Sequence, residues 1–192
     1  MSTLSKIEEA KKRKQRKKNM RLLFRSSILL VLLAAVVFAL VSNFTKDKTV
    51  IGVGAEAPNF KLERLNGEGG EVSLDDLKGK GVMLNFWATY CGPCKDEMPY
   101  MESLYPEYKE KGVEILAVSM DSNDLVVNRF VDKYELSFPI VRDNGGQILE
   151  LYDVGELPST LFINADGEVV DKVSGALTLD RLEGYLQKIE PQ

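Results

Sequence analysis

The chain reads as an α/β protein: a mixed sheet flanked by helices, set behind one apolar N-terminal segment. Three observations carry that reading. Strand-like and helix-like runs alternate from Val82 onwards, the pattern of a sheet covered by helices. Thr160-Leu161-Phe162-Ile163 is joined to Val169-Val170 through Asn164-Ala165-Asp166-Gly167, a hairpin signal that adds antiparallel strands. Residues 1–25 hold ten Lys/Arg against two acids, and the next twenty residues carry no charge at all.

In chain order, the basic tail comes first. It has a net charge of +8, which leaves −12 for the remaining residues and −4 for the whole. Residues 26–45 follow, with a wholly apolar centre at 28–41. Twenty residues at about 1.5 Å rise cross a hydrocarbon core of about 30 Å. Lys/Arg on the N-terminal side predicts a cytoplasmic tail and an outward-facing remainder. A cleaved signal peptide is the main alternative; no small-x-small cleavage site stands near Val41-Ser42-Asn43, so a retained anchor is favoured. The basic run also fits a nucleic-acid patch, but beside a transmembrane candidate it reads as a topology signal that also suits anionic lipid.

Residues 46–54 read as a linker, and 55–192 as one domain large enough to bury a core. Ala57-Pro58-Asn59-Phe60-Lys61-Leu62-Glu63 predicts a strand, Asn66-Gly67-Glu68-Gly69-Gly70 a turn, and Val72-Ser73-Leu74 a second strand, with Ser73 capping a turn of helix at 75–77. Residues 82–87 form an apolar strand. The helix after it runs to about Lys111 with Pro99 inside, where a missing N–H should kink it. Residues 113–119 are a buried strand. Asn123 or Asp124 caps a helix over 125–134, its apolar face made of Leu125, Val126, Val127, Phe130 and Val131. A strand at 138–141, a short helix at 147–152 and a closing helix at 179–189, capped by Thr178 or Asp180, complete the chain.

The chemistry concentrates where the strand at 82–87 meets the next helix. Cys91-Gly92-Pro93-Cys94 holds the only two cysteines. At a helix start, a Cys91 thiolate meets free backbone N–H groups and the positive end of the helix dipole, which favour S⁻. Cys94, one turn further in, is placed to attack a mixed disulfide at Cys91 and release the product. Three blander readings compete. A structural disulfide closes too short a loop to stabilise much. A zinc site wants four ligands, and the chain has two cysteines and no histidine. Two inert buried thiols fit poorly with Gly-Pro between them at a strand–helix junction. No metal or organic cofactor is expected, since two sulfurs carry two electrons.

Asn85-Phe86-Trp87-Ala88-Thr89-Tyr90-Cys91-Gly92-Pro93-Cys94-Lys95, with Glu97-Met98-Pro99 and the later Leu157-Pro158-Ser159-Thr160, resembles the membrane-anchored thiol-disulfide oxidoreductases of the ResA/TlpA type. The likeness covers almost the whole chain. It implies a thioredoxin-like fold with an N-terminal hairpin and an inserted strand–helix, supplied by 113–135. It implies a monomeric enzyme outside the cytoplasmic membrane that keeps substrate thiols reduced, often the haem-attachment cysteines of apocytochrome c. A membrane donor of the CcdA type would supply the electrons. By the same resemblance Cys91 is the exposed nucleophile, Cys94 the buried resolving thiol, and Pro158 a cis-proline facing the pair. Glu97 matches an acid that exchanges protons with Cys94 or tunes both thiols; an ordinary surface carboxylate is its other reading. Trp87 either shields the disulfide or fills the core. Tyr90, Gly92, Pro93 and Leu157 complete the expected substrate surface. Tyr90 stands where many members have Trp, and Gly92-Pro93 is the dipeptide of thioredoxin itself, so the substrate surface and the potential are this chain's own.

Three other functions remain open at this stage. Ala57-Pro58-Asn59-Phe60 and Val118-Ser119-Met120-Asp121 resemble peroxiredoxin-type peroxidases, but the Pro, Thr and Cys spacing that supports a peroxidatic thiolate is missing around Thr89. A disulfide-forming oxidase would use the same cysteines. A membrane-tethered module that binds unfolded polypeptide would use the apolar surface around Trp87, Tyr90 and Pro158 and would survive loss of both cysteines. The acidic balance of the domain argues against nucleic acid.

Overall fold

The computed structural model describes residues 3–44, 51–67 and 69–191. It contains two compact units, Met1–Thr49 and Val50–Gln192.

The first unit is one helix, α1 (Thr3–Phe44). Its stretch Asn19–Phe38 has a mean hydropathy of 2.1 and is long and apolar enough to cross a membrane. That stretch overlaps the expected span at 26–45 but starts earlier, taking in Arg21 and Arg25. The basic segment, read from sequence only as a charged tail, is helical from Thr3. Residues 45–50, most of the expected linker, lie outside the described residues.

The second unit includes Ile51–Gly54, the rest of the expected linker. Ile51 is buried, and Gly54 N–H donates to the Val169 carbonyl at 2.8 Å. Strands β1 (Lys61–Glu63) and β2 (Glu71–Ser73) form the antiparallel N-terminal hairpin. Ser73 then caps the 3₁₀ turn Leu74–Leu77: its Oγ accepts from Asp75 N–H while Asp76 accepts from Ser73 N–H. Asn66 fastens the hairpin to the main sheet, accepting from Ile140 N–H and donating to the Phe138 carbonyl.

The main sheet is built from β3 (Gly81–Trp87), β4 (Val113–Ser119), β5 (Ile140–Arg142), β6 (Ser159–Ile163) and β7 (Val169–Ser174). Their order is β5-β4-β3-β6-β7, with β3, β4 and β5 parallel and β6 and β7 antiparallel to their neighbours. All seven residues of β3 and of β4 are buried. Strands covered on both faces read as nearly continuous apolar runs, which is why these two were legible. Side chains alternate between the faces. Met83, Trp87, Ile115, Ala117 and Phe162 enter one apolar cluster, and Val82, Leu84, Phe86, Leu116, Val118 and Leu161 the other.

Helices α2 (Gly92–Glu110), α3 (Asp124–Tyr134), α4 (Gln147–Leu151) and α5 (Leu179–Lys188) connect and cover the sheet. Helix α2 contains Pro106 as well as Pro99 and runs through both. Gly81 is fixed by a close approach: a Cβ there would lie 2.0 Å from the Ile189 carbonyl oxygen at the end of α5. One apolar face is corrected. Val127, Phe130 and Val131 of α3 are buried, but Leu125 and Val126 are 55% and 44% exposed. Five apolar residues in an eleven-residue helix span more than one face, and only the i, i+3, i+4 set reaches the sheet.

Candidate active site

The site stands at the C-terminal end of β3, where the chain leaves the sheet and turns into α2. Met120 N–H extends the β3–β4 ladder one step by donating to the Trp87 carbonyl at 2.9 Å. The chain then turns through 88–91, with Cys91 N–H donating to the Ala88 carbonyl at 3.1 Å. Cys91 is the N-cap of α2, and its Sγ accepts from Cys94 N–H at 3.2 Å. Gly92 and Pro93 occupy the first turn, where a proline gives up only an N–H that has no helical partner.

Cys91 and Cys94 are joined as a disulfide with Cα atoms 5.3 Å apart. The two sulfurs are unlike in access. Cys91 is partly exposed, whereas Cys94 is fully buried in the cluster that holds Met83, Trp87, Met98 and Met101. Only Cys91 is therefore open to another protein's sulfur.

Across the sheet, β6 pairs antiparallel with β3 so that Ser159 lies opposite Phe86. That register puts Leu157-Pro158 beside the end of β3 from which the cysteine loop departs. The Leu157–Pro158 bond is cis. Leu157 packs against the same cluster as Cys91, while Pro158 is buried and its carbonyl accepts from Gly175 N–H at 2.8 Å. Tyr90 is 71% exposed, and Gly92 and Pro93 are exposed beside it. Trp87 is corrected as a substrate contact. It is fully buried, with its ring 5.0 Å from that of Phe130, and so offers no face to a bound chain.

Glu97 lies one helical turn beyond Cys94 and is 1% exposed, which removes the surface-carboxylate reading. Its Oε1 accepts from Asn85 Nδ2 at 2.9 Å and its Oε2 from Leu177 N–H at 3.1 Å. Asn85 also donates to Thr160 Oγ1 at 3.0 Å. Burial pushes the Glu97 carboxyl above its usual range, and the bonds from Leu177 and Asn85 pull it back in part. Sequence reasoning missed Asn85, Thr160 and Leu177. The available signal was a polar Asn85 inside the apolar run Val82-Met83-Leu84-Asn85-Phe86-Trp87: a buried amide needs partners, and here they include the acid. Among the described residues no group of acids, cysteines or histidines is suited to hold a metal.

Residues 53–172 match the AhpC/TSA family. A thiol-disulfide oxidoreductase ResA of Oceanobacillus iheyensis is 57% identical over 188 residues, covering 97% of this chain and 98% of that protein. The chain belongs to the ResA family of thiol-disulfide oxidoreductases. A second ResA, from Bacillus cereus, is 54% identical over 171 residues, covering 89% of this chain and 98% of that one. Among solved structures, a protein of Chlorobium tepidum assigned as a DsbE-type thiol:disulfide interchange protein superposes with a TM-score of 0.67. It is 32% identical and covers 72% of this chain and 98% of its own. Fold and enzyme class thus agree with the resemblance, and this ResA-family chain carries its one cysteine pair, Cys91 with Cys94, as a disulfide.

The raised proton affinity of Glu97 has a consequence for stability. A carboxyl whose folded-state pKa lies above its unfolded one stabilises the fold most when protonated. That stabilisation is full below the ordinary value of 4.5 and is lost as pH rises through the raised value. Glu97→Gln does not titrate. Its guanidinium midpoint should therefore gain on that of the wild type as pH rises from about 4.5 towards neutrality. A variant midpoint that stays level with, or falls further behind, that of the wild type over this range, taken relative to their difference at pH of about 4.5, would contradict the burial of Glu97 as a carboxyl.

Proposed function

We propose that this chain is a membrane-anchored, extracytoplasmic reductase of protein disulfides. The observation that carries the reading is the asymmetry of the pair: a reachable Cys91 at a helix start, bonded to a wholly buried Cys94 with the acid Glu97 one turn behind. In the reduced enzyme, Cys91 thiolate attacks one sulfur of a substrate disulfide. That S–S bond breaks, a Cys91–substrate disulfide forms, and the other substrate sulfur leaves as a thiolate that takes a proton. Cys94 then gives up its proton, with Glu97 one turn along α2 as the buried acid that takes it, and attacks Cys91 Sγ. The second substrate thiol departs, and Cys91–Cys94 closes with two electrons passed. Exposed Tyr90, Gly92, Pro93 and the Leu157-Pro158 edge would bound the substrate chain, in the manner of an extended peptide laid along a strand end.

The anchor at 26–45 with its basic N-terminal flank supports a cytoplasmic N-terminus and an outward domain. An outward-facing reductase needs electrons from across the membrane, which suits a donor of the CcdA type. Apocytochrome c, whose haem-attachment cysteines must be free thiols, fits as the substrate. The test is the reduction potential of the full chain in detergent against a graded thiol buffer. A value near or below about −270 mV supports a reductant, and one near about −120 mV would make the protein a disulfide-forming oxidase instead.

A further inference from the structure

We propose that Asp121 is a positioning residue for the redox pair: it clamps the loop carrying Cys91 against β4 through Thr89, and so favours the closed disulfide over the open dithiol. Asp121 stands two residues past the end of β4 and is 6% exposed. Its Oδ2 accepts from Thr89 N–H at 2.8 Å and its Oδ1 from Thr89 Oγ at 2.6 Å. Oδ2 also accepts from Ser119 Oγ at 3.0 Å, and Ser119 Oγ in turn accepts from Asp121 N–H at 3.1 Å. One carboxylate thus takes both hydrogen-bond donors of Thr89 and is itself braced on the last residue of β4.

Thr89 is two residues before Cys91, a reach of at most about 7 Å of chain. On its other side the loop is pinned by Met120 N–H to the Trp87 carbonyl. Cys94 is held independently, buried in the first turn of α2. With both thiols held, closing the disulfide leaves little freedom to lose, and the effective concentration of one sulfur at the other is high. Among the described residues no cation pairs with Asp121, so its hydrogen bonds to Thr89 and Ser119 are what hold the loop. The network joins residues 32 apart in sequence and lies outside the cysteine motif.

The closing equilibrium is read directly. Protein disulfide plus two buffer thiols gives protein dithiol plus one buffer disulfide, and the full chain in detergent is equilibrated across a series of such buffers. Asp121→Ala removes all three acceptor contacts. Its disulfide should be about tenfold easier to reduce than the wild type's, a potential less negative by about 30 mV for two electrons. Thr89→Val removes only the hydroxyl bond and should move the potential the same way by a smaller amount; it carries the test if Asp121→Ala does not fold. Asp121→Asn can keep every contact, its amide oxygen replacing Oδ2 and its NH₂ donating to a reoriented Thr89 hydroxyl. It should stay within about twofold of wild type. A loss of stability shared equally by both oxidation states leaves the potential unchanged, so a merely structural residue would not give this result. The proposal is overturned if neither Asp121→Ala nor Thr89→Val shifts the potential. It is overturned equally if Asp121→Asn shifts as far as Asp121→Ala, because charge and not position would then be acting. The wild-type value tests the reductase reading and the differences between variants test the clamp, so each can fail without the other.

Discussion

Cys91→Ser is expected to abolish disulfide reduction, lowering turnover by at least about 10⁴-fold, a loss of the size seen when a nucleophile is removed. The chain has no third cysteine to take over, and Cys94 is fully buried. A serine oxygen at the N-cap of α2 cannot form the sulfur–sulfur bond through which the electrons pass. Cys94→Ser should fail differently. Its Cys91 remains reachable and attacks substrate, but nothing resolves the product, so a mixed disulfide accumulates that only added thiol releases. Because the variant contains one cysteine, every adduct on a non-reducing gel must run through Cys91. Retention of function in cells by the double variant Cys91→Ser/Cys94→Ser, which has no sulfur left for reduction, would instead identify a polypeptide-binding module. Adducts on Cys91→Ser would reverse the roles of the two sulfurs and contradict the burial of Cys94.

What the sequence disclosed, and what it hid, follows from the range of the interactions. Strands β3 and β4 were legible because covered parallel strands are apolar at every position, and Cys91–Cys94 because strand, turn, proline and helix start lie within one short stretch. The α3 face was over-read, since a run of apolar letters does not say which of them turn inward. Glu97 was the hardest residue to place. An acid in the second turn of a helix is usually solvated, and its burial is decided by Asn85 from β3 and by Leu177 from the segment before α5, 80 residues away. The Asp121–Thr89 contact was hidden for the same reason, and both halves of it look like ordinary loop residues. Helix periodicity could not assign Trp87 either. Its position on β3 makes it the next side chain after Asn85 on the face under α2, and that register, not the aromatic ring, puts it in the core.

Trp87 therefore carries the second large effect. It is one of the largest fully buried side chains, packed on Phe130, and shares a cluster with Cys94 and Met98. Trp87→Ala should destabilise the globular unit by about 3–5 kcal/mol, from lost transfer free energy and the cavity left behind. Against a typical total of about 5–15 kcal/mol, that is a large fraction. Trp87→Phe should cost well under half as much. It keeps an aromatic ring against Phe130, and among the described residues the indole Nε1 has no hydrogen-bond partner to lose. Since Trp87 is the only tryptophan, the transitions must be followed by far-ultraviolet circular dichroism in guanidinium and not by fluorescence. If the two variants cost the same, the indole N–H contributes and the packing account is incomplete. If Trp87→Ala instead left stability intact and raised only KM for a protein disulfide, the residue would belong to the substrate surface after all. A side chain with no exposed area can affect substrate only through the backbone it supports, so stability should fall before affinity does.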